Sequence, residues 1–357
     1  MSNRILIIGA GLTGLAVASG LRHRGLEPVL VEQAPIITEA GWAIGLSPRH
    51  LVALDRLGIT DRAHWPGYRA DRNLMFNGAT GLVDRIATDG PIMFSRSDLQ
   101  TALLAGVSDL VRTGVRPRAL TDLGDAVEVE FDNGERESFD AVIGADGINS
   151  WTRRHVLNGP EATYTGTAAV RFRAPNPHPA LTVTALASGG KDATLAYLLM
   201  DGGKKFHGVV FLHGPLDNRR DLSPAELADL FPPLAGPLTP VIDILRSNPD
   251  SYYANINQAV VDTWTRNRVA LAGDAAHAMS PVLGQGAGAG FEDAAMLAEL
   301  LTTPHLSAPL ALASYEQLRK PEAQSLQRLA HETSQAMAQN SSPTAIFTRT
   351  ANLPGGV

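Results

Sequence analysis

Apolar residues follow two different periods along the chain, and the change from one to the other divides it. From Arg4 to Ile8 a short run rich in β-branched residues reads as a buried strand. Glycines 9, 11 and 14 follow, and then an Ala/Leu/Val-rich stretch ending near Arg24-Gly25 that reads as a helix with a glycine stop. A second strand is predicted from Pro28 to Val31, ending at Glu32; Ala141 to Ile143 reads as another buried strand, and so does the run that begins at Arg268. Between Trp151 and about Gln258 the pattern changes to alternating segments, TAAVRFRA, LTVTALAS, ATLAYLLM and KKFHGVVFLH, separated by Gly, Pro and Asn turns. Such strands predict an antiparallel sheet rather than further strand-helix-strand units. Helical spacing returns from Ala311 to about Ala338, where Pro321 is expected to kink or divide the helix.

Composition narrows the chemistry. The 357 residues suffice for two domains or for one large α/β domain with an inserted layer. Hydrophobic residues make up 44% and charged residues 18%, with a formal net charge of -6, so nucleic-acid binding gains no support. The absence of Cys excludes disulfides, thiolate nucleophiles, Cys-ligated zinc and iron–sulfur clusters, so redox chemistry must come from a bound cofactor. The uncharged run from Ile5 to Leu21 resembles an anchor, but its glycines fall where a strand turns into a helix. No stable membrane insertion is expected, and a cytoplasmic location fits. The dispersed His178, His207 and His213 show no HxH or HxxxH spacing, so no metal is expected.

The order strand, Gly9-x-Gly11-x-x-Gly14, helix, strand, Glu32 has a physical rationale. Gly9 makes the tight turn, Gly11 lets the backbone approach a pyrophosphate, and Gly14 lets helix and strand pack closely. The helix N-terminus favours negative charge, and Glu32 stands where an acid accepts hydrogen bonds from ribose hydroxyls. On these residues alone, FAD and NAD both remain open.

Two later motifs bear on that choice. FDAVIGADGINSWTR covers Phe139 to Arg153, with Asp146-Gly147 after its strand; RVALAGDAAHAMSPVLGQGAGAGFED covers Arg268 to Asp293, with Gly273-Asp274 after its strand. At these residues the sequence resembles the class A FAD-dependent monooxygenases, the para-hydroxybenzoate and salicylate hydroxylase family, with the three signatures in the family's order across almost the whole chain. Asp274, directly after a strand, is placed to grip the polyol of a flavin. Gly284-Gln285-Gly286-Ala287-Gly288 opens a helix whose amides can face the flavin pyrimidine edge and stabilise its negative charge. Many family members carry Asn where this chain has Gly288, so only backbone contacts carry over there.

The resemblance implies more. Arg96 in SRSDLQTALL is expected to reach FAD, Ala43 in GWAIGL to lie along the flavin, Asp146 to serve the diphosphate region and NAD(P)H use, and His277 and Pro281 to line the flavin edge. The fold expected is α/β: a Rossmann-type (GR2-like) FAD-binding domain of residues 1-72, 92-160 and 258-357, with an inserted antiparallel substrate domain of 73-91 and 161-257. Arg171 and Tyr197 are the side chains expected to face the substrate cavity and to polarise or deprotonate a phenol, while Trp42 and Phe211 are expected to pack. The activity implied is insertion of one oxygen atom of O2 into a small aromatic or polyketide-like substrate through a flavin C4a-hydroperoxide, with NADPH or NADH as reductant, in a monomer or homodimer. The alternative on the same fold is a flavin dehydrogenase, reductase or cyclising enzyme without oxygen insertion. Trp42, Trp65, Trp151 and Trp264 are isolated, so the Trp-x-Trp element of flavin halogenases is absent.

Overall fold

The strand Ile5–Ile8 (β1) is apolar and enclosed at all four positions, which requires a partner on each edge and cover on both faces. It pairs in parallel with β12 (Ala141–Gly144) on one edge and β2 (Val29–Glu32) on the other. The full order of this six-stranded sheet is β18 (Thr265–Arg266), β19 (Val269–Leu271), β12, β1, β2 and β8 (Val111–Thr113), with β18 the antiparallel edge. Helix α1 (Leu12–His23) packs against α7 (Gly286–Leu301). A Cβ on Gly20 would fall 2.5 Å from Leu57 and 2.9 Å from Ala298, so glycine permits this approach. Two small sheets flank it: β3 (Ala43–Leu46), β7 (Ile92–Ser95) and β4 (Tyr68–Arg69); and β11 (Arg136–Phe139), β10 (Val127–Phe131) and β9 (Pro117–Asp122).

This computed structural model describes residues 4–37, 43–60, 65, 67–69, 72–77, 83–86, 91–177, 183–190, 192–215, 222–231, 239–247 and 251–339. Trp42, His178 and the Ser/Pro-rich tail after 339 lie outside the described residues.

The alternating segments build a second sheet, in the order β17 (Ser251–Gln258), β13 (Thr163–Pro175), β16 (Lys205–His213), β15 (Ala193–Met200), β14 (Val183–Gly190), β5 (Arg72–Asn77) and β6 (Val83–Ile86). It is not wholly antiparallel: β14 and β5 run parallel. They come from distant stretches of chain, and a pair not joined by a hairpin is free to take either direction. The two faces of this sheet have different neighbours. Ala168, Val170, Phe172, Leu195, Tyr197 and Val210 pack with α4 (Pro224–Ala228) and α5 (Thr239–Ser247). Ala169, Ala196, Val209 and Phe211 face Val282 and Met337, and Met337 lies on the last helix, α8 (Ala308–Ala338). Phe211 is therefore a packing residue, as its sequence setting predicts.

Helix α8 runs unbroken through Pro321, against the expected division. Proline costs a helix about 3 kcal/mol by losing a hydrogen bond and crowding the preceding turn. Here Pro321 points outward, while Tyr315, Arg319, Ala323 and Leu326 keep the helix anchored on both sides of it.

Candidate functional site

Three neighbouring parallel strands, β19, β12 and β1, each end in one of the glycine motifs, so the motifs meet at the carboxyl edge of the sheet, where open α/β sheets bind ligands. Backbone bonds knit the turns together. Ala145 donates to the Ile8 carbonyl at 2.9 Å, Ala272 to that of Gly144 at 3.0 Å, and Gly9 to that of Val31 at 2.8 Å. Gly9 has φ +102°, and a Cβ there would strike the Ala145 carbonyl oxygen at 2.6 Å. A Cβ on Gly14 would lie 1.8 Å from the Gly9 oxygen, whereas one on Gly11 would meet nothing within 4 Å. Gly9 and Gly14 thus make the fold possible, and Gly11 leaves the approach to α1 open. Gly11 is the N-cap of α1 and provides no side-chain cap, so the first amides of that helix are available to an anion. Glu32, at the end of β2, accepts from the amides of Ala10 and Ala34, each at 2.9 Å, which fixes its carboxylate beside this turn.

In the second motif the Asp146 carboxylate is spent on its own turn: it accepts from Ser150 Oγ at 2.5 Å, Thr152 N at 2.9 Å and Thr152 Oγ1 at 3.0 Å. Its backbone abuts Gly9. Arg153, for which the sequence suggested no partner, is fully buried and donates to the carbonyls of Ile148, Pro160 and Ala275. Burial lowers its pKa. Those bonds tie the second motif to the third.

The third motif turns at Gly273 (φ +60°) into α6 (Asp274–His277), and then through Pro281–Leu283 into α7. Asp274 is exposed, and a Cβ on Gly286 would stand 3.9 Å from its Oδ1, so the carboxylate and the first turn of α7 border the same space. Pro281 and Gly284 are exposed on the intervening turn, Gly286 and Ala287 are half-buried, and Gly288 is buried. Gln285 caps α7 without a side-chain bond, which leaves the amides of its first turn available. Thr13 of α1 wedges between Gly273 and Gly290, since a Cβ at either would lie 2.4 Å from its Oγ1. Ala43, half-buried on β3, pairs with Ser95, the residue just before Arg96 at the start of α3 (Arg96–Ala105). The donor set and the open approach at Gly11 fit a dinucleotide, and the Asp274 carboxylate and the α7 amides border the same space.

His277 does not line this space. It is wholly buried, with Nε2 2.6 Å from Asp293 Oδ2, because α6 turns it inward onto Trp264 and α7. Asp293 also accepts from Gly273 N at 3.0 Å and from Arg319 Nε at 3.0 Å. Arg319 reaches Glu292 and Glu322, and both of these pair with Arg49. Burial by itself would raise the Asp293 pKa; His277, Arg319 and the Gly273 amide outweigh it and hold the carboxyl well below the usual range. Burial likewise opposes the Arg319 charge, and Asp293 and Glu292 more than restore it. The phrase GFED placed the two acids in the sequence, but their partner arrives from α8, 26 residues beyond Asp293.

On the substrate side, Arg171 and Tyr197 do not share a cavity. Cross-strand register puts Arg171 in a row with Val209 and Ala196, on the face toward Val282 and α8. Tyr197 is in the row of Gly208 and Phe172, packed on Phe206 beneath α4 and α5, with its hydroxyl 3.3 Å from Asn176 Oδ1. Because a strand alternates its faces, parity against neighbours that the sequence does not reveal decides the matter. Burial pushes the Tyr197 hydroxyl well above its usual range, so it stays protonated. Arg171 is half-buried and, among the described residues, makes no hydrogen bond and pairs with no carboxylate. Burial lowers its pKa and the Arg96 charge acts in the same direction, while its cross-strand neighbour Tyr252 opposes them. His207, on the same face, is lowered to about 3, chiefly by burial and then by Arg171 and Arg173, so it is neutral. His213 lies between Thr194 and Thr167. Among the described residues no cluster could hold a metal ion, and no helix is long and apolar enough to cross a membrane.

The comparisons with known proteins agree with this geometry. The family model described as an FAD binding domain matches residues 2–330. Salicylate hydroxylase from Pseudomonas putida is 30% identical over 92% of this chain and 85% of its own length. The 6-hydroxynicotinate 3-monooxygenase of Bordetella bronchiseptica is 28% identical over 92% and 91%. The crystal structure of Klebsiella pneumoniae HpxO with FAD and uric acid superposes with TM-score 0.84 at 24% identity, covering 99% of this chain and 97% of that one, which shows a shared fold.

The two roles of glycine can be separated by substitution. Gly14→Ala should destabilise the apoprotein by about 3 kcal/mol or more in urea unfolding, since backbone must move. Gly11→Ala should leave apoprotein stability within about 0.5 kcal/mol and still lose FAD affinity. Asp293→Asn should cost about 3–5 kcal/mol near neutral pH. A carboxyl with a depressed folded pKa stabilises above its unfolded pKa and loses that effect as pH falls through the folded one. Denaturation curves of wild type and variant should therefore converge only at pH below the ordinary carboxyl range.

Proposed function

Since the chain belongs to the FAD-binding-domain family and is a FAD-dependent monooxygenase, we propose that it uses NADH or NADPH to place one oxygen atom of O2 on a small aromatic substrate bearing an anionic group. The observation that carries this reading is Arg171, a half-buried cation without an acid partner among the described residues, on the sheet face that looks toward the FAD-binding half. Leaving such a charge uncompensated in a partly desolvated site is costly, and a substrate carboxylate or ionised phenol would compensate it. Salicylate and 6-hydroxynicotinate, named for two relatives, are both aromatic carboxylates with a ring hydroxyl.

Bound FAD would supply the redox chemistry, taking electrons from the nicotinamide and passing oxygen to the substrate. The chain's own residues perform the rest. The amides of Gly286 to Gly288 would stabilise negative charge on the bound cofactor, and Asp274 would hold its hydroxylated chain. Arg171 fixes the substrate ring, and the sheet above it excludes water. His207 contributes polarity without charge at working pH.

Oxygen-electrode assays with each nicotinamide and a panel of hydroxybenzoates and neutral phenols test this. Aromatic acids should stimulate oxygen uptake more than their neutral analogues. Arg171→Ala should raise KM for the acid about tenfold to a hundredfold, the worth of one charged hydrogen bond. Tyr197→Phe, on the opposite face, should leave KM within about twofold. Equal stimulation by neutral phenols, with no effect of Arg171→Ala, would overturn the proposal.

A further inference from the structure

Helix α2 (Pro48–Arg56) carries a buried histidine outside the three glycine motifs. A Cβ built on Gly288 would lie 2.2 Å from Cε1, 2.3 Å from Nδ1 and 2.4 Å from Cγ of His50. Three ring atoms at nearly one distance mean that the imidazole covers the space where any side chain at 288 would stand. His50 is 0% exposed, and its ring is held by the helix cap: Ser47 N donates to Nδ1 at 3.2 Å, and Ser47 Oγ lies at 3.2 Å from the same atom. The Ser47 amide donates to Nδ1, and Arg49 Nε approaches Nε2 at 3.4 Å, so contacts on both ring nitrogens hold the plane of the imidazole. Burial first, then the charges of Arg49 and Arg319, lower its pKa to about 3, so the ring is uncharged at any working pH.

The first turn of α7 needs such a support. Gly286, Gly288 and Gly290 give it unusual backbone freedom, and each glycine costs a helix about 1 kcal/mol relative to alanine. Ser47 directly follows β3, which begins at Ala43, so one ring joins the end of that strand to the start of α7. The Arg49–Glu292 ion pair at 3.1 Å spans the same two helices.

We propose that His50 is a positioning residue matched to Gly288: its imidazole takes the place of a side chain at 288 and fixes the Gly286–Gly288 amides in the orientation that holds FAD. The inference rests on FAD binding and is independent of the oxygen-insertion reading. Gly288→Ala, His50→Ala and the double variant would be compared with wild type by titrating each apoprotein with FAD, following flavin fluorescence quenching, the visible flavin spectrum and apoprotein melting. No substrate, nicotinamide or oxygen uptake enters the readout, so failure here and failure of the proposed reaction are distinguishable.

Each single variant should lose FAD affinity about tenfold. Removal of the imidazole should reverse sign with its background, harming the wild type but improving Gly288→Ala, so that the double variant returns to within about threefold of wild type. Two independent packing losses would add instead. If Gly288→Ala alone fails to fold, recovery of soluble, FAD-binding protein in the double variant supports the pairing equally. Wild-type affinity in Gly288→Ala, or a double variant no better than that single one, would overturn it.

Discussion

A carboxylate removed from water must be compensated on every side, and Asp293 meets that demand by binding three groups from two other segments at once. It takes the amide of Gly273, the imidazole of His277 and the guanidinium of Arg319. Leaving such a charge unpaired costs several kcal/mol, so the Gly-Asp turn and α8 stabilise each other through this carboxylate. Arg319 extends the constraint through Glu292 and Glu322 to Arg49 on α2. The geometry of the third motif is thus set by side chains that never face a ligand.

That constraint acts on a frame laid down by backbone contacts. β19, β12 and β1 are neighbours in the sheet, and their turns are linked by main-chain bonds. Close approach is possible because Gly9, Gly14, Gly273 and Gly290 present no side chain where another atom already stands. The result is a set of helix N-termini with free amides at one edge, bordered by Glu32 and Asp274. It suits a ligand with an anionic centre flanked by hydroxylated chains, in keeping with the FAD-binding family to which the chain belongs.

The two faces of the second sheet differ in burial and charge. One face is sealed by α4 and α5 and contains Tyr197; the other presents Arg171 and neutral His207 toward the FAD-binding half. Arg171 has the Arg96 charge near it and pairs with no described carboxylate, so that face is electropositive.

Local chemistry was legible in the sequence wherever it depends on consecutive residues. The strand-glycine-helix order, Glu32 at the end of the second strand, the Gly-Asp turn and the change to alternating strands could all be read, because turn geometry and side-chain period are properties of short segments. Tertiary structure alone decided matters that depend on neighbours. It determined which face of β15 Tyr197 occupies, that His277 turns inward, and that α8 survives Pro321. It also brought His50 onto Gly288 and Arg319 onto Asp293, across 238 and 26 residues of chain respectively. The physical reason is the same in each case: burial and charge compensation are set by what lies across the gap, and that is fixed by the packing of distant segments rather than by their local pattern.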